Sequence, residues 1–315
     1  MKPRLVNLAW LLAFAALATL PQILTVKYYL HLSILALIWV IVAQGQNLIQ
    51  GFTGYVSIVQ AGFMGIGAYS STLIGMHFNW PIWAAIAAAP LITALFALLT
   101  GYPSLRVKGH YFAIVTMAFN LIIVIVLVNF RELTRGEAGI SNIPKPWDGD
   151  RDAYFHLALI LAAAMTLLAA LIARSRVGEI LRAIRQNEDL VGAIGIAAWK
   201  YKLFAFVISA MYAGLAGALY AHFQGFINPE IFGVAQSLDA ILAVILGGTG
   251  TIAGPVIGAF LVVFLPELLR FADSFRLILY GLILVLATIF MPIGIVGVAK
   301  TLLAKLHRPG VRHDR

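Results

Sequence analysis

The chain has no cysteine among its 315 residues. Disulfides, thiolate metal sites and cysteine nucleophiles are excluded together. Charge is almost as scarce: Asp, Glu, Lys and Arg make up 11% of residues, against about a quarter in soluble domains. No Gly-x-x-x-x-Gly-Lys-Ser/Thr loop occurs, so the chain binds no nucleotide through a P-loop. His-Glu-x-x-His and His-x-x-x-His are also missing, and His31, His77, His110, His156 and His222 stand apart without metal-ligand spacing. An enzyme active site, a resident cofactor or a metal centre has no sequence foundation here.

Apolar residues are plentiful, at 62% with a mean hydropathy of +0.94. They come in long runs, clearest in Leu91–Leu99, Phe112–Phe130, Ala158–Ala173 and Leu277–Phe290. Several approach the ~20 residues that cross a bilayer as helix. A β-barrel would instead show alternating segments of ~10 residues. The pattern predicts an all-α polytopic membrane protein, a single transmembrane domain over residues 1–315. Spans are expected near 5–24, 28–50, 55–77, 80–101, 110–130, 153–173, 203–222, 236–248, 254–272 and 275–293. The eighth is short enough to be a half-helix.

The formal charge of +9 fits the positive-inside rule better than nucleic acid binding. With both termini inside, only Lys27, Arg131, Arg135, Lys145, Arg151, Arg270 and Arg276 of the 22 basic residues lie outside. Residues 131–152 form the outer loop and 175–202 the longest inner one. Met1 to Ala18 also resembles a signal peptide. The apolar stretch runs on to Leu24, which favours an uncleaved first span.

Two uncharged, glycine-interrupted segments stand out. AQGQNLIQGFTGYVSIVQAGFMGIGAYSS covers Ala43–Ser71, and ILGGTGTIAGPVIGAF covers Ile245–Phe260. Small residues permit close helix packing. A matched pair of broken apolar segments also points to a substrate path in transporters built from repeats, here a possible five-plus-five arrangement. Unwound backbone is tolerated at membrane depth only inside protein or along a cavity. Gln44, Asn47, Thr53, Ser57, Gln60 and Thr249 are therefore expected to line or border a translocation route. Asp239 is the single candidate for an ion-carrying residue within a span, thin support for a secondary transporter or channel.

The inner loop is patterned. Gly178–Gln186 reads as an amphipathic helix, and Asn187 can cap a second helix that Gly195 ends. Ile180, Leu181, Leu190, Val191 and Ile194 form apolar faces that a soluble partner or the bilayer surface could cover.

Taken in order, these stretches resemble an inner-membrane permease of the branched-chain amino acid ABC importer family, in its LivM-like branch. The resemblance rests on GFTGYVSIVQAGFMGIGAYSS, LRVKGHYFAIVTMAF (Leu105–Phe119), TRGEAGIS (Thr134–Ser141), Ser175–His222, NPEIFGVAQSLDAILAVILGGTGTIAGPVIGAF and MPIGIVG. It departs from the family at Gln60, where a histidine is frequent, and at Thr134–Gly139, where Thr-Gly-Gly-x-x-Gly is usual. The resemblance implies a LivH-like second permease, two ATPase subunits and a periplasmic binding protein, in a bacterial inner membrane. It places Glu188 to Gly195 at the coupling motif, with Gly178, Glu179, Arg182 and Arg185 beside it. Arg131, Arg135, Glu137 and Glu230 would meet the binding protein. Branched-chain or related amino acids are the implied cargo, with urea, short amides or aromatic acids as alternatives.

Overall fold

The computed structural model describes residues 27–78, 80–269 and 294–306, with single residues between 275 and 289. The expected span at 5–24, and most of that at 275–293, lie outside the described residues. The helices are α1 Lys27–Gln46, α2 Gln60–His77, α3 Ile82–Ser104, α4 His110–Asn129, α5 Arg131–Thr134, α6 Arg151–Arg174, α7 Arg176–Gln186, α8 Glu188–Ala193, α9 Ala198–Gln224, α10 Val234–Gly247, α11 Ala253–Leu268 and α12 Gly294–Leu306. Strands β1, Ile140–Ser141, and β2, Phe226–Ile227, pair antiparallel.

Six described segments are long and apolar enough to cross a bilayer: Lys27–Gly51, Ile82–Ser104, His110–Asn129, Arg151–Arg174, Ala198–Gln224 and Pro229–Gly247. The chain is a helical, multi-pass membrane protein. The short eighth span is α10 preceded by a 3₁₀ turn at Pro229–Phe232.

The third expected span begins later than its composition suggests. Residues 54–59 are not helical, and α2 starts at Gln60. This helix is too polar to pass as a lipid-facing span, and the structure shows why it need not be one. It packs against α9, α3 and α4 with its residues from Gln60 to Tyr69 all buried. A Cβ on Gly67 would fall 2.1 Å from the Gly214 carbonyl oxygen, and one on Gly217 would fall 1.9 Å from that of Met64. Backbone contact of this kind drives helix association where lipid removes the hydrophobic incentive.

The flanking helices show the opposite pattern. On α4 only Phe112, Thr116 and Asn120 are buried, a stripe of i, i+4, i+8 turned toward α2. Its other face exposes Ile114, Leu121, Ile122, Ile125 and Val126.

The bundle has two distinct ends. At one, which we call the β end, β1 meets β2 and the Ile143 N–H donates to the Gly225 carbonyl (3.2 Å). At the other lie α7, α8, the unwound stretch 54–59 and the turn 248–252.

Candidate coupling and translocation site

The two glycine-interrupted segments break and meet each other. α1 widens into a π-helical turn at Asn47–Gly51, and α10 stops at Gly247. Asn47 clasps the second break with both ends of its amide. Its Oδ1 accepts from Gly250 N (2.9 Å) and its Nδ2 donates to Thr251 O (2.8 Å). Gln44 Nε2 donates to Ile252 O (2.8 Å) one turn away. These bonds satisfy backbone groups that the broken helices release.

The start of α2 is buried, so its free N–H groups need partners. Side chains from other helices supply them. Ala61 N donates to Ser237 Oγ (2.9 Å), Gly62 N to Asn120 Oδ1 (2.6 Å), and Ile58 N to Thr116 Oγ1 (3.0 Å). Gln60 Nε2 donates to Ser209 O (3.1 Å), and Ser209 Oγ donates to Gln60 Oε1 (3.1 Å). The sequence reading missed Asn120, Ser237 and Thr116. A polar side chain inside an apolar run was the available signal.

Of the six expected path residues, Gln44, Asn47, Thr53, Ser57 and Gln60 are buried, while Thr249 is half-buried. The structure gathers Gln44 and Asn47 against the 250–252 turn. Thr53 hydrogen-bonds locally to Ile49 O (2.5 Å). Gln44 Oε1, Gln46 Oε1 and Ser57 Oγ are buried without a partner among the described residues.

Both helices expected in the inner loop form. Ser175 Oγ caps α7 by accepting from Gly178 N (3.4 Å), and Asn187 Oδ1 caps α8 by accepting from Leu190 N (3.1 Å). Gly178 sits where a Cβ would fall 2.4 Å from Ile172 O, which fixes the sharp turn after α6. Gly195 has φ +83°, a conformation glycine adopts without strain. Glu179 is exposed.

One expectation about these helices is corrected. Leu181 and Val191 are not available to a partner; they are buried, at 1% and 4% exposure, with Ile184. Leu190 and Ile194 remain exposed, and Ile180 is half-buried. An amphipathic helix turns its apolar stripe to its own protein first, because core burial is closest at hand.

The arginines, though exposed, also bond to their own chain. Arg182 donates to Ala173 O (2.5 Å) and lies over the Phe52 ring. Arg185 donates to the Gly51 carbonyl, at the end of the π turn. Glu188 accepts from the Tyr55 hydroxyl and pairs with Lys202 Nζ (2.7 Å), and that lysine also donates to the Tyr55 oxygen (3.1 Å). Burial pushes the Glu188 carboxyl up, and the hydrogen bonds from Lys202 and Tyr55 more than offset this, holding it below the usual range. Lys108 pairs with Asp189 (2.7 Å) in the open, which raises the lysine and lowers the carboxyl. α7 and α8 are thus tied to residues 51–55 by charge-assisted bonds. Tyr55 and Lys202 went unnoticed as partners of Glu188; an ionisable residue opening an apolar helix was the clue.

At the β end, Arg131, Arg135, Glu137 and Glu230 are all exposed. β1–β2 pairing brings the loop of the first three beside the segment of the fourth. A cavity of about 150 Å³ opens at this end, and one of about 230 Å³ lies between Tyr102, Leu105, Arg106, Trp199 and Leu203 at the other. Neither is lined by the six path residues. Among the described residues no three His, Asp or Glu side chains converge to hold a metal ion.

A family profile described as branched-chain amino acid transport system / permease component matches residues 28–288. The chain is 31% identical to the high-affinity branched-chain amino acid transport system permease protein LivM of Escherichia coli (strain K12), over 92% of this chain and 75% of that protein. It is 25% identical to LivH of the same strain and to BraD of Pseudomonas aeruginosa, each over 82% of this chain and 91% of the relative. No solved structure matches it. The chain belongs to the family of branched-chain amino acid transport system permease components.

Proposed function

We propose that the chain is the permease subunit of an ABC importer in a bacterial inner membrane, carrying branched-chain or related amino acids. Its ten spans form a five-plus-five arrangement with both termini in the cytoplasm. A LivH-like permease stands beside it, two ATPase subunits dock on residues 175–202, and a periplasmic binding protein docks on loop 131–152 and Glu230. The observation that carries this reading is the link from α7 and α8 to the broken segment. Glu188 holds Tyr55, and Arg185 holds Gly51. A push on the short helices therefore reaches the π turn and, through Asn47, the 250–251 backbone. Leu190, Ile194 and Glu179 are left for the ATPase surface, while Gly178 and Gly195 set where the two helices begin and end.

Gln44, Asn47, Thr53, Ser57, Gln60 and Thr249 border the route. Three buried acceptor or donor atoms without partners lie in this segment, on Gln44, Gln46 and Ser57. Each costs about 1–3 kcal/mol if left unmade, so groups of this kind suit a place that meets water or cargo in another conformation. Importers of urea, short amides or aromatic acids would share these features. The test is reconstitution with the partner subunits and a loaded binding protein. ATP-dependent leucine uptake supports the reading, and failure with leucine, isoleucine and valine alike refutes the cargo assignment.

A further inference from the structure

The β end holds a polar site that coupling and translocation leave unused. Its partly open cavity of about 150 Å³ lies where the first turns of α1 and α6 meet the last turn of α9. The wall includes His31, Lys145, Asp150, Arg151, Tyr154 and His222. Lys145 and Arg151 bring two positive charges, and neither forms an ion pair with a described carboxylate. Asp150 caps α6 with one oxygen, accepting from Asp152 N (3.1 Å), and keeps further acceptor capacity.

His222 is fully buried, at 0% exposure. Its Nδ1 lies 2.7 Å from the Pro144 carbonyl oxygen, an atom that only accepts, so Nδ1 carries the proton. Nε2 has no partner among the described residues. In the neutral ring it presents a lone pair, a site for a donor. The cavity wall thus carries two cations, unpaired among the described residues, and two acceptors.

We propose that this cavity binds the head of a small zwitterion, a molecule with an oxyanion and a primary ammonium a few bonds apart. The oxyanion sits on Lys145 and the forked guanidinium of Arg151. The ammonium donates to His222 Nε2 and Asp150. A cavity near 150 Å³ holds a group of about benzene's size, so the head enters and a longer tail stays outside. Two molecules carry this head. One is a free amino acid, since Lys145 and Asp150 belong to the loop where cargo would arrive. The other is a phosphatidylethanolamine headgroup, since exposed Tyr28, Tyr29, Trp83 and Trp147 stand at the same end, as aromatic side chains do at a bilayer interface. The amino-acid source rests on the permease reading above; the lipid source does not.

The complex of permease and ATPase subunits, without nucleotide and without the binding protein, is tested in two arms. In the first, binding of radiolabelled leucine is compared with N-acetyl-leucine, which lacks the ammonium. In the second, phosphatidylethanolamine retained after detergent exchange is compared with phosphatidylcholine, whose quaternary nitrogen cannot donate. We expect saturable binding of leucine or phosphatidylethanolamine, about tenfold or more tighter than its blocked analogue. Arg151→Gln and Lys145→Gln, at exposed positions, are each expected to weaken it by a similar factor, as is His222→Phe. Binding in the first arm assigns the site to cargo, and binding in the second assigns it to lipid. If neither probe binds saturably, or if binding ignores both Arg151→Gln and Lys145→Gln, the proposal is overturned. Leucine uptake by the same preparation, once the binding protein is added, reports separately on the permease reading.

Discussion

Lys202 Nζ lies 2.7 Å from Glu188 Oε1, with the lysine side chain 2% exposed and the carboxylate 21%. The Tyr55 hydroxyl completes a three-residue knot between α8, α9 and the unwound 54–59 stretch. Glu188→Gln leaves a buried ammonium without its counter-charge. A fully buried broken pair costs about 3–5 kcal/mol, and the partial exposure of Glu188 puts this one nearer 2. Thermal unfolding in detergent should show a clear loss for Glu188→Gln and a smaller one for the Glu188→Gln/Lys202→Met double variant. The carboxyl is held below its usual range in the folded state. Its contribution is therefore complete above about pH 5 and lost as pH falls through the folded value. Wild-type stability should drop over that acid range more steeply than that of Glu188→Gln.

The Asn47 clasp predicts a graded series. Asn47→Leu removes both bonds to the 250–251 backbone and strands a donor and an acceptor, which costs about 2–4 kcal/mol. Asn47→Asp keeps the acceptor for Gly250 N and loses the donor to Thr251 O. Melting temperature should fall in the order wild type, Asp, Leu. Equal melting temperatures would remove the clasp from the description.

Glycine substitutions should separate by location. Gly217→Ala puts a methyl 1.9 Å from the Met64 carbonyl oxygen, so α2 and α9 must part. Overpacking of this sort costs about 1–3 kcal/mol or more. Gly192→Ala, in α8 with open space around its position, should be neutral or stabilising by up to about 1 kcal/mol. Yields of folded protein and melting curves test the contrast.

Single cysteines at Gln44, Asn47, Thr53, Ser57, Gln60 and Thr249 probe the route. Thr249, half-buried at rest, should react first with a small soluble thiol reagent. The five buried positions should react only while the complex cycles ATP. Silence at all six in every state would place the path elsewhere.

Much of this was legible in the chain. Apolar run length gave the helical class, Asn187 marked a helix start, and paired glycine-rich breaks marked where helices stop. What the sequence hid was pairing between distant elements. Nothing local says that Asn47 reaches Gly250, or that Tyr55 and Lys202 converge on Glu188, because those bonds depend on how α1, α8, α9 and α10 pack. Exposure misled for the same reason. Leu181 and Val191 look free on their own helices and are covered by the chain itself. The expected start of the third span failed because residues 54–59 are unwound, with Gly54 at φ +80° and the Ile58 N–H held by Thr116 of another helix, which hydropathy does not register.

The most direct test of coupling through residues 175–202 measures ATP hydrolysis and leucine uptake together, in proteoliposomes holding the whole complex. Glu188→Gln loosens the knot with Tyr55 and Lys202, and Gly195→Asp forces a side chain onto a backbone with φ +83°. Both variants should assemble, and their ATPase subunits should still hydrolyse ATP. Uptake per ATP should fall by about tenfold or more, the scale of one lost charge-assisted contact. Uptake per ATP equal to wild type in both variants would contradict coupling through this loop.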